Sequence, residues 1–237
     1  MSAIPVVTID GPSGSGKGTI SRHLAQQLGW HFLDSGALYR LVGLGAARHG
    51  IASQDDAGIA DYARQLDVRF EAGDPDQEPA IYLEKQNVTS ELRTEETGAL
   101  ASRVAAIPAV REALLARQRQ FLQAPGLVAD GRDMGTTVFP QANLKIFLTA
   151  SAEVRAQRRY KQLKEKGNNV SLSALVHDIN QRDERDASRS VSPLVPADDS
   201  IILDTSAMDI AQVMQRVQAL VHQALPDVTP GGLRAEH

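Results

Sequence analysis

The sequence predicts an α/β fold in which helices flank a parallel β-sheet core. Three observations carry that expectation. Short β-rich apolar runs alternate with amphipathic helical stretches, a glycine-rich turn joins the first strand to the first helix, and 237 residues at 42% hydrophobic content suffice to bury a sizeable core.

Val6-Val7-Thr8-Ile9 reads as a buried strand running into Gly11-Pro12-Ser13-Gly14-Ser15-Gly16-Lys17-Gly18-Thr19. Ile20, Leu24 and Leu28 then recur every four residues, the mark of a helix face, and Gly29 supplies a stop. A second strand, Trp30 to Leu33, leads through Asp34-Ser35-Gly36 into a helix over 37–49. The rhythm breaks over 66–90. There, 66–70 and 80–84 read as two strands of an inserted antiparallel hairpin around the turn cluster Gly73-Asp74-Pro75-Asp76. Helical spacing returns over 95–122, and two buried strands follow at 126–130 and 144–148. Next come a basic helix over 152–166, the loop Gly167-Asn168-Asn169 and a helix from Ser171 to Arg185. Ile201-Ile202-Leu203-Asp204 is expected as a last core strand, 210–225 as a last helix, and 226–237 as a flexible tail rich in Pro, Gly and polar residues.

Composition narrows the function classes. With 25 Lys+Arg against 29 Asp+Glu the formal net charge is −4, which gives no reason to expect a nucleic-acid coat or binding to an anionic membrane. The charge is uneven: between Glu153 and Arg189 nine basic and six acidic residues make a local +3. The absence of cysteine excludes disulfides, thiolate catalysis and Cys-ligated zinc, and it fits a reducing compartment. The six histidines show no metal-ligand spacing. No basic segment followed by a long apolar run opens the chain and no 18-residue apolar stretch follows, so a cytoplasmic location is expected.

The pattern G-x-x-G-x-G-K-G-T between a strand and a helix points to phosphate. Glycines let the backbone wrap an anion with its N–H groups, and the helix N-terminus adds partial positive charge. Lys17 would reach the β- and γ-phosphates of a nucleoside triphosphate. A bare G-x-G would favour an ordinary turn with a surface lysine; the flanks and Lys17 argue against that. The generic pattern places Ser or Thr directly after the lysine, whereas here Gly18 intervenes before Thr19. A direct hydroxyl ligand for Mg²⁺ is therefore in doubt, and phosphates and water are expected to hold most of the metal.

A triphosphate site alone fits a GTPase, an ATPase motor or a kinase. No Asn-Lys-x-Asp guanine reader is present, but arginines stand near element ends at 40, 111, 132, 182, 185 and 189. Bringing two polyanions together for phosphoryl transfer needs fixed cations, and arginine forks suit phosphate oxygens.

Together with the glycine-rich segment, Leu33-Asp34-Ser35-Gly36-Ala37-Leu38-Tyr39-Arg40, Asp130-Gly131-Arg132-Asp133-Met134-Gly135-Thr136 and Arg182-Asp183-Glu184-Arg185-Asp186 resemble bacterial cytidylate kinase, a nucleoside monophosphate kinase family. The resemblance spans residues 4 to about 225. It implies a P-loop kinase with a core (about 1–36, 91–150 and 190–225), a monophosphate-binding region with the β insert (about 37–90) and a helical lid (about 151–189). The implied reaction is phosphorylation of CMP and dCMP by ATP with Mg²⁺, and a monomer is expected. Ser35, Tyr39 and Arg40 would line the monophosphate pocket. Arg132 would clamp phosphate, and Asp133 or Ser102 would accept from cytosine N4 while Arg111 donates to N3 and O2. Arg182 and Asp186 would approach sugar and phosphate, Arg189 would clamp phosphates, and Arg158 on the lid helix would touch ATP. Lys17, Arg132, Arg182 and Arg189 form the implied catalytic set, with Asp130 placed to hold a Mg²⁺-bound water.

Each of these residues also has a plainer reading. The run 182–186 taken alone is an exposed helical charge face, Arg111 alone an exposed helical arginine, and the basic face of 155–161 a solvated one. A P-loop kinase for another small acceptor (UMP, AMP or shikimate) and a non-catalytic nucleotide-binding regulator stay open as alternatives.

Overall fold

The computed structural model describes residues 4–71, 80–165, 170–229 and 232–233. In chain order they form β1 (Val6–Asp10), α1 (Lys17–Leu28), β2 (His31–Asp34), α2 (Ser35–Arg48), α3 (Asp56–Arg64), β3 (Val68–Glu71), β4 (Ala80–Leu83) and β5 (Gln86–Asn87). Then follow α4 (Glu95–Val104), α5 (Pro108–Arg119), β6 (Leu127–Gly131), β7 (Leu144–Thr149), α6 (Ala152–Glu165), α7 (Leu172–Ala187), β8 (Ile201–Asp204), α8 (Ile210–Ala224), β9 (Val228–Thr229) and β10 (Gly232–Leu233). Two compact units result, one of residues 1–33 with 121–237 and one of residues 34–120.

The first unit is built on a sheet of order β2-β6-β1-β7-β8. β1 pairs in parallel with β6 on one side and β7 on the other, so Ile9 stands opposite both Asp130 and Ile146. Every residue of β1 is buried, because it has a strand on each edge, and α1 and α8 contribute Ile20, Leu24 and Val217 to the same apolar core. Trp30, 6% exposed, belongs to that core. The strand order reverses at β1, and in open α/β sheets such a switch point collects ligands at the carboxyl ends of the strands. Residues 10–17 and 130–138 leave the sheet there.

β8 differs from the expected core strand. Among the described residues it pairs only with β7, at the sheet edge, and Ile201 and Ile202 are 38% and 60% exposed. Helices α6 and α7 close a small apolar cluster of Ala156, Leu163, Leu175 and Ile179. The loop Gly167-Asn168-Asn169 lies outside the described residues. Within the segment that composition reads as a tail, β9 and β10 pair antiparallel.

The second unit packs α4 on α2 and α5 on α3. The continuous helical pattern over 95–122 breaks at 105–107, where Pro108 begins α5 in its first turn; a missing N–H costs nothing there, but a proline ring inside a helix would. The sequence did not disclose α3, whose buried face is Ile59, Ala60 and Ala63, two alanines giving little hydropathy contrast. The insert is a three-stranded sheet, β3-β4-β5, with one strand more than the expected hairpin. The cluster Gly73-Asp74-Pro75-Asp76 lies outside the described residues. At the β4–β5 turn Glu84 and Lys85 take φ of 49° and 69°, the backbone of a two-residue hairpin loop. Tyr62 donates its hydroxyl to Glu84 at 2.8 Å and so lowers the Glu84 pKa.

Candidate active site

The phosphate loop begins where β1 ends. Gly11 has φ +152°, and a Cβ there would fall 2.0 Å from the carbonyl oxygen of Leu148, so only glycine fits. Gly14 and Gly16 take φ of 78° and 90°, and α1 starts directly after them with Lys17. Lys17 is buried, donates to the Pro12 carbonyl at 3.2 Å, and stands 4.0 Å from Asp130 Oδ1. Ser15 Oγ is buried and has no hydrogen-bond partner among the described residues, as a group kept for a ligand would be. Gly18 lies against the Asp130 carboxylate: a Cβ at that residue would lie 3.2 Å from Asp130 Oδ2, a tight contact. Thr19 is exposed.

Asp10 escaped the sequence reading. Its Oδ1 accepts from the Met134 N–H at 2.9 Å and its Oδ2 from the Gly135 N–H at 2.8 Å, which ties the end of β1 to the π-helical turn over 134–138. Burial pushes its carboxyl up to about 6, against the lowering effect of the two backbone donors and of Lys17. The available signal was an acid at the end of a buried strand directly before Gly11, the same context that drew attention to Asp130.

Arg132 donates from Nε to Asp186 Oδ2 at 3.0 Å, and Arg189 donates to the other oxygen. Burial alone would raise the Asp186 pKa, but Arg132, Arg189 and Arg182 outweigh it and hold the carboxyl below its ordinary value. Conversely, burial would lower the Arg132 pKa, and Asp186, with Asp130 and Asp10, more than reverses this. Two of the implied phosphate clamps, Arg132 and Arg189, are therefore held by one carboxylate, which is 1% exposed. Asp133 is buried, and its carbonyl accepts from Thr137 and Val138. The 182–186 run is thus more than a solvated face, although Arg185 is exposed and donates to its own helix at Gln181.

On α6, Arg155 and Arg158 turn inward. Arg155 is 4% exposed and pairs through both terminal nitrogens with Asp183. Arg158 donates to the carbonyls of Ser15, Thr205 and Met208. Burial lowers its pKa, with Asp204 offsetting part of the shift.

In the second unit Ser35 is buried in the first turn of α2, whose N-cap, Asp34, accepts from the Ala37 N–H at 3.0 Å. Arg40 donates to the carbonyls of Leu92 and Thr94. Arg111 is 7% exposed, donates to the Ala105 carbonyl at 3.1 Å and lies 5.5 Å from the Tyr39 ring centre, which removes the reading as an exposed helical arginine. Ser102 is 4% exposed and its Oγ has no partner among the described residues.

The sequence profile of the cytidylate kinase family matches residues 7–223. The chain belongs to that family. It is 58% identical to the cytidylate kinase of Pseudomonas aeruginosa strain LESB58 over 91% of this chain and 94% of that one. It is 57% identical to that of Pseudomonas entomophila strain L48, over 92% and 96%. Every segment that carried the resemblance lies inside the matched residues of the cytidylate kinase profile. A shikimate kinase structure from Bacteroides thetaiotaomicron is similar at a TM-score of 0.45 and 15% identity over 92% of this chain and 97% of that one, a likeness that lends no weight to a shikimate acceptor.

Proposed function

We propose that the chain transfers the γ-phosphoryl group of ATP to CMP or dCMP, giving ADP and CDP or dCDP. The observation that carries this reading is the Arg132–Asp186–Arg189 cluster in the same unit as the Lys17 loop. One set of cations serves a donor triphosphate, and a second serves an acceptor that is itself a phosphate. A general base is unnecessary, because the acceptor oxygen is already anionic. Loop N–H groups and Lys17 hold the donor phosphates and offset the charge that moves during transfer. Ser15 Oγ, buried and unpartnered among the described residues, is available to the same anion.

Asp130, a hard oxygen donor buried at the end of β6, fits a Mg²⁺ held through water, and no group of three potential metal ligands occurs among the described residues. Bound with the nucleotide, Mg²⁺ would supply charge neutralisation at the phosphates.

Cytosine selection rests on Arg111 as donor to N3 and O2 and, in the same unit, on Ser102 as acceptor from N4. Cytosine offers an N4 donor with N3 and O2 acceptors, whereas uracil carries a donor at N3. The wrong base would leave buried groups unpaired at about 1–3 kcal/mol each. Ser35, Tyr39 and Arg40 take the monophosphate, near the N-terminus of α2. A coupled ADP-release assay across CMP, dCMP, UMP, AMP and shikimate tests the assignment. CMP and dCMP are expected to be the best acceptors; a preference for AMP would overturn the cytosine reading, and no turnover with any acceptor would favour a nucleotide-binding regulator.

A further inference from the structure

Helix α6 is fastened to the phosphate loop at alternate carbonyls. Arg155 donates from Nη1 to the Ser13 carbonyl at 3.0 Å. One turn on, Arg158 donates from Nη1 to the Ser15 carbonyl at 3.3 Å. Between them, the Cβ that an alanine at 14 would carry lies 3.1 Å from Arg155 Cβ, so Gly14 is seated directly on the helix.

Both guanidinium groups spend their donors on the protein. Arg155 gives Nε to the Ala150 carbonyl at 2.9 Å and its two terminal nitrogens to Asp183 on α7. Arg158 gives Nη1 also to Thr205 Oγ1 at 3.1 Å, and Nη2 to the carbonyls of Thr205 at 2.6 Å and Met208 at 3.3 Å. A guanidinium holds five N–H donors in a fixed fork, so such use leaves little for an oxyanion.

The consequence follows from the planarity of the peptide unit. In a trans peptide the N–H points opposite to the preceding C=O. Fixing the Ser13 and Ser15 carbonyls toward α6 therefore turns the Gly14 and Gly16 N–H groups away from it, in a loop whose function requires N–H groups aimed at an anion. We infer that Arg155 and Arg158 are positioning residues that set the anion-binding form of the phosphate loop by holding its carbonyls, and that Asp183 aims Arg155 for this task. The inference rests on the assignment of residues 11–19 as the ATP phosphate loop. It departs from the expectation that Arg158 touches ATP itself.

The test is calorimetric titration of the full-length wild type and its Arg155→Met, Arg158→Met, Arg158→Lys and Asp183→Asn variants with ATP and with inorganic tripolyphosphate, both with Mg²⁺, alongside KM for CMP. Each Met variant is expected to weaken both ligands by the same factor, about tenfold, with KM for CMP changed less than twofold. Arg158→Lys should weaken binding as much as Arg158→Met, because one ammonium cannot serve three carbonyls and a hydroxyl at once. Asp183→Asn should lower ATP affinity less than Arg155→Met does, since the Ser13 contact survives. Loss of ATP affinity with tripolyphosphate unaffected would place Arg158 on the nucleoside and overturn the inference. Recovery of affinity in Arg158→Lys would place its charge on a phosphate and overturn it equally. Unchanged binding in the half-buried Arg158 variants, whose folding is checked by thermal melting, would do the same even if Arg155→Met misfolds. Failure of the wild type to bind either ligand would instead remove the phosphate-loop assignment on which the inference stands.

Discussion

Arg132 and Arg189 share a single buried carboxylate, Asp186, with Arg132 Nε 3.0 Å from Oδ2 and Arg189 on Oδ1. Like charges at such proximity would repel in a dry site, and the acid both neutralises and aims them. It also leaves an excess of positive charge for which an incoming phosphate is the natural counter-ion.

Asp186→Asn is therefore expected to act on stability and catalysis together. Removing one partner of a buried ion pair costs about 3–5 kcal/mol, because the remaining charges stay desolvated. Urea unfolding should show a loss of that order, and kcat should fall by at least about tenfold. An equally stable variant would show that the arginines do not depend on Asp186.

Asp10 predicts an unusual pH dependence. Its carboxyl ionises near 3.8 in the unfolded chain and at about 6 in the fold. Between those values the folded state binds more protons, so this group adds stability as pH falls through about 6, and its contribution is complete below 3.8. Asp186 works in the opposite sense: its contribution is present above the ordinary value of 3.8 and is lost as pH falls through its lowered folded value. Asp10→Asn removes this gain, so its urea midpoint at about pH 4.5, taken relative to that at about pH 7, should be lower than the wild type's. An identical pH dependence in the two proteins would mean that Asp10 ionises normally.

Lys17→Ala should reduce kcat by about 100-fold or more, the scale of losing one preorganised charge at a transferring phosphoryl group. KM for CMP should move less than about threefold, since Lys17 acts on the donor side. Steady-state kinetics with CMP varied at saturating ATP decide this, and an unaltered kcat would remove Lys17 from the transfer step.

Ser102→Ala offers a clean test of base reading. Its Oγ has no hydrogen-bond partner among the described residues, so its removal should leave thermal stability within about 2 °C of the wild type. If Ser102 accepts from cytosine N4, the CMP-over-UMP ratio of kcat/KM should narrow by about fivefold or more, equivalent to about 1 kcal/mol. A preserved ratio would remove Ser102 from base reading.

Much of the site was legible because its chemistry is contiguous. Gly11 to Thr19 carries glycines, lysine and flanks within one stretch, and the strand–helix alternation located it in the fold. Long-range relations were not legible. The Arg155–Ser13 bond joins residues 142 positions apart, and only the packing of α6 reveals that a basic helix face is spent on carbonyl oxygens. Ile201 and Ile202 misled for a related reason: hydropathy reports side-chain character but cannot say which strand lies at a sheet edge. Arg111 was legible only through the resemblance, since a lone arginine in a helical pattern looks solvated until Tyr39 and the Ala105 carbonyl are seen around it.

Trp30 is the single tryptophan of the chain, buried in the unit of residues 1–33 and 121–237, with no hydrogen-bond partner for its Nε1 among the described residues. Three of the four tyrosines, Tyr39, Tyr62 and Tyr82, belong to the unit of residues 34–120, and Tyr160 to the other. The two units thus carry different intrinsic chromophores. An indole so enclosed emits toward the blue and shifts to the red when water reaches it, so tryptophan fluorescence follows the melting of the phosphate-loop unit alone. Near-ultraviolet tyrosine signals are weighted toward the other unit. Comparing the two melting curves would reveal, without any attached label, whether the units lose their structure in one cooperative step or in sequence.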